Sequence, residues 1–321
     1  MLTIAVDPSD PDPEALQPAA EVLRRGGLVA FPTETVYGLG ALALEASAVQ
    51  RIFDAKGRPS DDPVIVHVRP EWDLGLLFAE VTDTVRHLAE SHWPGPLTIV
   101  ATKHPSVPDV VTSGLSTVAV RAPSHPVAAL LLDLVGAPLA APSANRFSYV
   151  SPTTAAHVAA DLGDAIDVLV DGGPTPIGIE STIVLVEGHR LSLLRPGSID
   201  LSDAGEGEAL AESLSPGRLA IHYSPSTPTR SLAAGAVLAG VGSGGIFIGY
   251  DDSHEPPQGW EALSLGDRRD LTAVARALYG LLRIADSRDS AMIVVEFTGE
   301  DALGRAIDDR IRRAAGGQSV Y

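Results

Sequence analysis

Hydrophobic residues recur along this chain of 321 residues with two spacings, and the two spacings predict different elements. Between residues 13 and 25 the apolar positions lie three and four residues apart and end at two glycines, which predicts an amphipathic helix. Beyond it, short runs of β-branched residues predict strands at residues 28–31, 64–68, 98–101, 117–120, 166–170 and 182–186. Helical patterns lie between them, and Ser151 is predicted to cap a helix at residues 152–162. This alternation indicates an α/β fold, with helices packed on one large, twisted, mixed sheet.

The pattern changes near residue 200. The following stretch, to residue 226, is rich in glycine, serine, proline and acidic residues and follows neither period, which is typical of a linker. A strand at 245–250, a helix at 271–286, a strand at 291–296 and a helix from about 302 to 314 then predict a smaller, Rossmann-like α/β domain with parallel strands. The predicted organisation is a first domain at residues 1–199, a linker at 200–226 and a C-terminal domain at 227–321.

The charge of the chain is strongly unbalanced. It has 23 basic and 41 acidic residues, for a formal net charge of −18. A field of this sign repels phosphate backbones, so we expect no stable, direct binding to nucleic acid. In the last predicted helix, arginines alternate with Asp308 and Asp309, which predicts a solvated helix face. These arginines are Arg305, Arg310, Arg312 and Arg313.

Cysteine is absent from the sequence, which excludes a disulfide framework, a thiol nucleophile and a cysteine metal site. The N-terminus carries acidic residues and prolines where a signal peptide would need basic and apolar ones. The apolar runs are shorter than the ~20 residues that a membrane span needs. The simplest expectation is a cytoplasmic protein without a membrane segment.

Polar residues follow the first predicted strand, where the chain leaves the sheet. They are Thr33, Glu34, Thr35 and Tyr37. Gly38 comes directly after them and permits close approach of the backbone to a ligand. The same composition also makes ordinary turns, so this segment by itself is consistent with a ligand site or with a turn.

Two cations precede the next predicted strand. The chain has 21 arginines but only two lysines, and a retained lysine at Lys56 favours a compact, strongly hydrated ammonium, as at many phosphate sites. Arg58 lies one glycine further on, so the two cations can reach a polyphosphate from two directions. Asp62 follows them, and His67 interrupts the apolar strand. For Lys56, Arg58 and Asp62, the alternative is a surface loop with solvated charges. For His67, the alternative is a hydrogen-bonded core histidine.

Further polar residues lie at the ends of later strands. Thr117 opens a strand that ends at Arg121, whose guanidinium can hold a carboxylate or form a structural ion pair. Ser143, Asn145 and Ser151 lie ahead of a predicted helix whose N-terminus can bind an anion. Each of these signals is weak when taken alone.

The last group of polar residues comes from the end of the first domain. Ser181 leads into a predicted strand, and Arg195 lies near the close of the domain. No GxxxxGK[ST], GxSxG or HExxH motif occurs in the sequence. A Walker nucleotide loop, a serine hydrolase and a zinc protease are therefore not predicted.

Taken together and in order, these segments resemble the threonylcarbamoyl-AMP synthases of the YrdC-like family. The resemblance covers about residues 15–199, through the motifs FPTETVYGLG, KGRP, VIVHV, VAVR, APSAN, GIESTI and LLRPG. The linker motifs SPG and HYSP and the extra domain resemble the long, two-domain form of these enzymes. The resemblance implies a YrdC-like sheet in the first domain.

The resemblance also implies an ATP-dependent nucleotidyltransferase. Such enzymes use Mg²⁺ and condense L-threonine, bicarbonate and ATP to threonylcarbamoyl-AMP and pyrophosphate. The product supplies downstream machinery that transfers the threonylcarbamoyl group to a tRNA adenosine. Two alternatives come from related domains, a double-stranded RNA-binding module and the carbamoyl-transfer module of hydrogenase maturation. The acidic charge argues against the first and the lack of cysteine against the second.

By the same resemblance, individual residues acquire expected roles. Lys56 and Arg58 are expected to be catalytic. The expected L-threonine contacts are Thr35, His67, Arg121, Ala141 and Ser181. The expected ATP contacts are Arg58, Asp62, Thr117, Ser143, Ser151, Arg195 and Tyr223, and no metal ligand is assigned.

The expected contact from Tyr223 implies that the linker folds back over the site as a lid that excludes water. Two features depart from the family pattern. Asp62 stands where members usually have asparagine, and a carboxylate cannot donate a hydrogen bond while ionised. The linker also lacks the lysines that are frequent between SPG and HY.

Overall fold

The computed structural model describes residues 1–201, 205–206, 222–238, 241–242, 244–299 and 301–320. The helices are α1 (Pro13–Arg24), α2 (Ala46–Lys56), α3 (Asp83–His92), α4 (Asp109–Thr112), α5 (Pro126–Val135), α6 (Ala155–Leu162), α7 (Leu271–Asp286) and α8 (Ala302–Ala314). The strands before the predicted linker are β1 (Leu2–Ala5), β2 (Val29–Pro32), β3 (Tyr37–Leu42), β4 (Ile65–His67), β5 (Leu97–Thr102), β6 (Thr117–Arg121), β7 (Leu139–Ala140), β8 (Val168–Asp171), β9 (Thr182–Glu187) and β10 (Arg190–Arg195). The later strands are β11 (Gly205–Glu206), β12 (Thr229–Leu232), β13 (Ile246–Gly249), β14 (Glu261–Ser264), β15 (Ile293–Glu296) and β16 (Ser319–Val320).

Eleven of the described strands form one mixed sheet, in the order β1-β8-β2-β3-β7-β4-β6-β5-β9-β10-β11. Successive residues of a strand point to opposite faces, so both faces of this sheet are apolar and both are covered. Val168 and Val170 pack with helices α1 and α5 on one face, whereas Leu169 packs with α2 and α6 on the other. The predicted fold class, a large mixed sheet with helices packed on it, is confirmed.

A second sheet lies in the C-terminal part of the chain. Its five described strands are all parallel and follow the order β14-β13-β15-β12-β16. Helices α7 and α8 pack on it through Leu278, Leu282 and Ile307, which are fully buried. The separate, smaller α/β domain is therefore present as predicted.

An apolar cluster joins the two sheets. Val150, Ile179 and Tyr223 belong to the same cluster as the buried face of α7. Gly178 has a φ of +88°, and a Cβ atom there would lie 2.5 Å from the Cα of Arg276 on α7. Only a glycine permits this approach, so a turn of the first domain is shaped for contact with the C-terminal domain.

The predicted helix at residues 152–162 is shorter in the structure. Helix α6 begins at Ala155, and the side chain of Thr154 accepts the capping hydrogen bond from the amide of His157. The prediction that Ser151 caps this helix is wrong, because its hydroxyl is used by Glu180 instead. Strand β3 was missed, since its glycines were interpreted as part of a loop.

Residues 202–204 and 207–221 of the predicted linker lie outside the described part of the chain. The predicted domain boundaries thus stay a prediction. Among the described helices, none is long and apolar enough to cross a membrane.

Candidate active site

A cavity lies beside strand β4 and is closed on one side by His222 and Tyr223, near the end of the predicted linker. Ile65 and His67 line it from β4, and Arg121 lines it from the end of the adjacent parallel strand β6. Arg58 lines it from the loop that precedes β4. The two guanidinium groups therefore belong to opposite ends of β4. The predicted site residues that line the cavity are Thr35, Arg58, His67, Arg121, Ala141, Ser143, Ser181, Arg195 and Tyr223.

Arg121 is held on three sides at one end of the cavity. Its Nη1 donates to the hydroxyl of Thr35 at 2.9 Å and its Nε donates to the carbonyl oxygen of Gly95 at 3.2 Å. Its Nη2 lies 2.6 Å from a carboxylate oxygen of Glu34. Within the described residues, neither Glu34 oxygen accepts an aligned hydrogen bond. Glu34 thus balances the charge of Arg121 without filling its hydrogen-bonding positions.

His67 ends β4 directly opposite Arg121 in the sheet register. Burial and the nearby charge of Arg121 lower the pKa of His67 to about 3. Its ring is therefore neutral at pH 7. The Nδ1 atom has no hydrogen-bond partner within the described residues, and the side chain lines the cavity.

Arg58 is fixed at the other end by the chain that leads into β4. Its Nε donates to the carbonyl oxygen of Asp62 at 2.9 Å, and its Nη2 donates to the carbonyl oxygen of Pro63 at 2.7 Å. The carboxylate of Asp62 forms an ion pair with the same Nη2 at 2.9 Å, and both side chains are buried. Asp62 therefore orients Arg58 from behind instead of facing the cavity.

Lys56 is buried at the end of α2 and is not a solvated surface residue. Its Nζ donates to the carbonyl oxygens of Ser143 and Asn145, both at 2.5 Å. Burial, and then the charge of Arg58, lower the pKa of Lys56 well below its usual value. Through these two hydrogen bonds Lys56 holds the loop that carries Ser143 into the cavity, and Lys56 does not itself line the cavity.

Glu180 is the centre of a buried network beside the cavity. One carboxylate oxygen accepts from the hydroxyl of Ser151 at 2.6 Å. The other accepts from the Tyr279 hydroxyl at 2.7 Å and from Nε of Arg310 at 2.9 Å. Burial alone would raise the pKa of Glu180, but the charges of Arg310 and Arg195 outweigh it and lower this pKa to about 2. Glu180 is therefore ionised at pH 7.

The prediction that the arginines of helix α8 form a solvated face is wrong for Arg310. Its side chain is 0% exposed, although it lies on helix α8 of the C-terminal domain. The alternation with Asp308 and Asp309 is real, but Asp309 pairs with Arg310 at 2.9 Å and Arg310 also reaches Glu180. One arginine of this helix therefore faces the first domain and not water.

Arg195 and Tyr223 border the same end of the cavity as Arg58. Arg195 donates to the carbonyl oxygen and to the hydroxyl of Ser181, both at 3.1 Å, and its Nη1 lies 3.5 Å from the Tyr223 hydroxyl. The ring of Tyr223 stacks on that of Tyr279, with centroids 5.8 Å apart. His222 also lines the cavity, and burial lowers its pKa to about 3. The end of the predicted linker thus returns to the cavity.

Four predicted residues do not line the cavity. Lys56, Asp62 and Ser151 support residues that do, through the contacts described above. Thr117 begins β6, four residues before Arg121, which is about 13 Å along a strand. Its hydroxyl has no hydrogen-bond partner in the described structure. Thr117 therefore lies toward the Arg58 end of the cavity.

Several residues that shape the site were not assigned by the sequence analysis. Glu34 and Glu180 belong to the quoted motifs FPTETVYGLG and GIESTI, and His222 belongs to HYSP, so a local signal existed for these three. Tyr279 and Arg310 lie in the C-terminal domain, and nothing in their local sequence points to a cavity in another domain.

The described residues contain no group of three or more His, Cys, Asp or Glu side chains arranged to hold a metal ion. The carboxylates nearest the cavity, Glu34 and Glu180, are each paired with an arginine.

Two family matches divide the chain at residue 197, close to the change in sequence pattern near residue 200. Residues 21–197 match the Sua5, YciO and YrdC family, described as telomere recombination. Residues 197–316 match a domain described as threonylcarbamoyl-AMP synthase, C-terminal domain.

Full-length relatives carry the same name. A threonylcarbamoyl-AMP synthase of Pyrococcus abyssi is 40% identical, over 93% of this chain and 93% of the relative. One of Bacillus subtilis is 39% identical, over 96% of this chain and 95% of the relative. One of Schizosaccharomyces pombe is 34% identical, over 97% of this chain and 90% of the relative.

Two solved structures place the fold. The crystal structure of P. abyssi Sua5 complexed with L-threonine superposes with a TM-score of 0.90 at 37% identity, over 100% of both chains. Escherichia coli YciO superposes with a TM-score of 0.55 at 22% identity, over 63% of this chain and 98% of that one. The second match concerns the fold of the first domain alone.

Proposed function

The chain belongs to the Sua5, YciO and YrdC family and is an ATP-dependent threonylcarbamoyl-AMP synthase, and we propose how its cavity divides the substrates. The reaction joins L-threonine, bicarbonate and ATP. The threonine amine and bicarbonate first give a carbamate and water. A carbamate oxygen then forms a bond to the α-phosphorus, while the bond from that phosphorus to pyrophosphate breaks.

L-Threonine occupies one end of the cavity, which we call the threonine end: Thr35, His67, Arg121 and Ala141. Arg121 grips the substrate carboxylate in a bidentate fork, because its Nη2 has no aligned hydrogen bond to Glu34. The negative charge of Glu34 beside the same guanidinium opposes the incoming substrate carboxylate. The neutral ring of His67 presents Nδ1 to the substrate without adding charge.

ATP occupies the other end, which we call the nucleotide end. Arg58, Ser143, Arg195 and Tyr223 line it, and Ser151, Asp62, Thr117 and Lys56 lie around it. Arg58 and Arg195 face the phosphates as fixed cations, since backbone carbonyl oxygens orient both guanidinium groups. Chemistry of this kind depends mainly on positioning and charge neutralisation. Ser181 lies between the two ends, because its hydroxyl accepts a hydrogen bond from Arg195 of the nucleotide end.

Mg²⁺ enters with ATP in this scheme. The ion keeps several waters and binds substrate phosphates in many such sites, so it needs few protein ligands. Lys56 acts from behind by holding the carbonyl oxygens of Ser143 and Asn145. We further propose that Tyr223 closes the nucleotide end against water, that the enzyme works in the cytoplasm, and that its product passes to tRNA-modifying transferases.

The observation that carries this proposal is a single cavity with oriented arginines at both ends of β4, one suited to a carboxylate and the other to a polyphosphate. The test is pyrophosphate release from ATP and Mg²⁺, with and without L-threonine and bicarbonate. We expect release only when both are present. Release that is indifferent to threonine would contradict the proposal, and a salt-sensitive gel shift with RNA would favour the nucleic-acid alternative.

A further inference from the structure

We infer that the C-terminal domain supplies a positioning residue, Arg310, which neutralises Glu180 so that an anionic nucleotide can enter the cavity. This inference rests on the proposed function and assigns a task to the second domain. Arg310 itself does not line the cavity, whereas Glu180 does. Arg310 thus acts on ATP through Glu180.

The geometry makes Arg310 an internal partner of the first domain. Its Nε donates to the Glu180 carboxylate at 2.9 Å, and its Nη2 lies 3.4 Å from the Glu180 carbonyl oxygen. Its Nη1 donates to the carbonyl oxygen of Pro196 at 2.9 Å and to Asp309 at the same distance. A guanidinium held at four acceptors and fully shielded from water has one fixed position.

The fixed position of Arg310 matters because of the charges in the cavity wall. Glu180 lies in the same cavity wall as Arg58 and Arg195, which are proposed to face phosphates. In a buried site a carboxylate without a partner would repel a triphosphate strongly, because the local dielectric constant is low. Arg195 does not remove this charge by direct contact, since its hydrogen bonds go to Ser181 and Tyr223.

Glu180 also links Arg310 to Ser151, which is expected to contact ATP. Its other carboxylate oxygen holds the hydroxyl of Ser151 at 2.6 Å. Tyr279, also from the C-terminal domain, donates to Glu180 beside Arg310 at 2.7 Å. A shift of Glu180 would therefore move Ser151 as well as expose a negative charge.

A second ion pair between the domains provides a matched control. Arg283 of α7 pairs with Asp161 of α6, and both side chains are buried. Neither residue lines the cavity. If Arg310 serves only to dock the domains, loss of Arg283 should have the same consequences as loss of Arg310.

The experiment compares full-length Arg310→Met, Arg283→Met, Glu180→Gln and the double variant Arg310→Met with Glu180→Gln. Three quantities are measured: the Kd of a non-hydrolysable ATP analogue, the Kd of L-threonine alone, and threonine-dependent pyrophosphate release. We expect Arg310→Met to raise the Kd of the analogue by roughly tenfold or more, with the threonine Kd within about twofold of wild type. Arg283→Met should raise the analogue Kd by less than about threefold.

Charge rescue is the decisive result. The double variant should bind the analogue within about threefold of wild type, because the unpaired carboxylate is gone. Glu180→Gln with Arg310 intact should also bind it at least as well as wild type, and this variant gives the answer if Arg310→Met does not fold. Failure of rescue, weaker analogue binding by Glu180→Gln, or equal losses from the Arg283 and Arg310 variants would each overturn the inference. If wild type itself releases no threonine-dependent pyrophosphate, the proposed function fails instead.

Discussion

The two ends of the cavity are built differently. The threonine end is formed within the first domain, where the β2–β3 turn and the ends of β4 and β6 meet. The nucleotide end is completed by Tyr223, near the end of the predicted linker, and is supported by Tyr279 and Arg310 of the C-terminal domain. The comparison suggests that amino-acid binding depends on one domain, whereas ATP binding depends on how two domains meet. Changes at the two ends should therefore separate the affinities for the two substrates.

The largest expected effect comes from Lys56→Arg, which affects both ends at once. Lys56 is buried against two carbonyl oxygens, and a planar guanidinium in that space must displace the loop that carries Ala141 and Ser143. We expect kcat to fall by on the order of 100-fold, because small displacements of reacting groups are costly. Steady-state kinetics measure the loss of activity, and thermal melting measures the change in stability. We expect the loss of activity to be the larger effect.

The other lysine of the chain is the control for this variant. Lys103 pairs with the exposed carboxylate of Asp109, away from the cavity. Lys103→Arg should retain wild-type kcat. If Lys56→Arg did so too, its proposed role at the site would be excluded.

Tyr223→Ala tests the nucleotide end alone. It removes the ring that stacks on Tyr279 and lines the cavity beside Arg195. We expect the KM for ATP to rise by about tenfold, while the Kd of threonine changes by less than about twofold. Tyr223→Phe keeps the ring and should stay close to wild type, because the hydroxyl is 3.5 Å from Arg195. Unchanged ATP affinity and turnover in Tyr223→Ala would refute the proposed lid.

Glu34→Gln tests the threonine end alone. Glu34 lies 2.6 Å from Arg121, where the substrate carboxylate is proposed to bind, and a neutral amide should compete less for that guanidinium. We expect the Kd of threonine, measured by calorimetry, to fall by about threefold, with ATP affinity unchanged. Glu80→Gln, at an exposed position, is the matched control. Weaker threonine binding would instead mean that Glu34 contacts the substrate.

The smallest expected effect concerns pH, and it should not distinguish the two ends. The pKa values of His67 and His222 are lowered to about 3, and that of His157 to about 4. Because these values lie below the unfolded value of about 6.5, the unfolded chain binds more protons between pH 6.5 and about 3. The stabilisation is fully present above pH 6.5 and is lost as the pH falls through that window.

Thermal melting at pH 7, 6 and 5 checks this expectation. His157→Gln, outside the cavity, should flatten the decline in melting temperature, whereas His87→Gln should not, because His87 is exposed. These histidines should cause no step in kcat between pH 6.5 and 8. A histidine-dependent step there would show that one of them titrates in the folded enzyme.

Much of the fold was predictable from local patterns. Helix α7 and helix α8 begin and end at the predicted residues, because capping aspartates precede both and the apolar period is strong. Eight of the described strands lie within about two residues of their predicted positions, namely β2, β4, β5, β6, β8, β9, β13 and β15. The other described strands were not predicted. Strand β3 was missed because its glycines indicate a loop when read locally, and only pairing with β2 and β7 makes them a strand.

The candidate site, like the fold, was predictable only where local sequence carried the signal. The sequence by itself determined the α/β elements, the family and most of the residues that line the cavity, because each motif spans only a few neighbouring residues. Tertiary structure alone decided that Ser151 binds Glu180 instead of capping a helix and that Glu34 forms an ion pair with Arg121. It also decided that Arg310 is buried against Glu180, 130 residues away along the chain. Such contacts depend on how the domains dock, and a charged residue on a helix carries no local mark of the surface that will cover it.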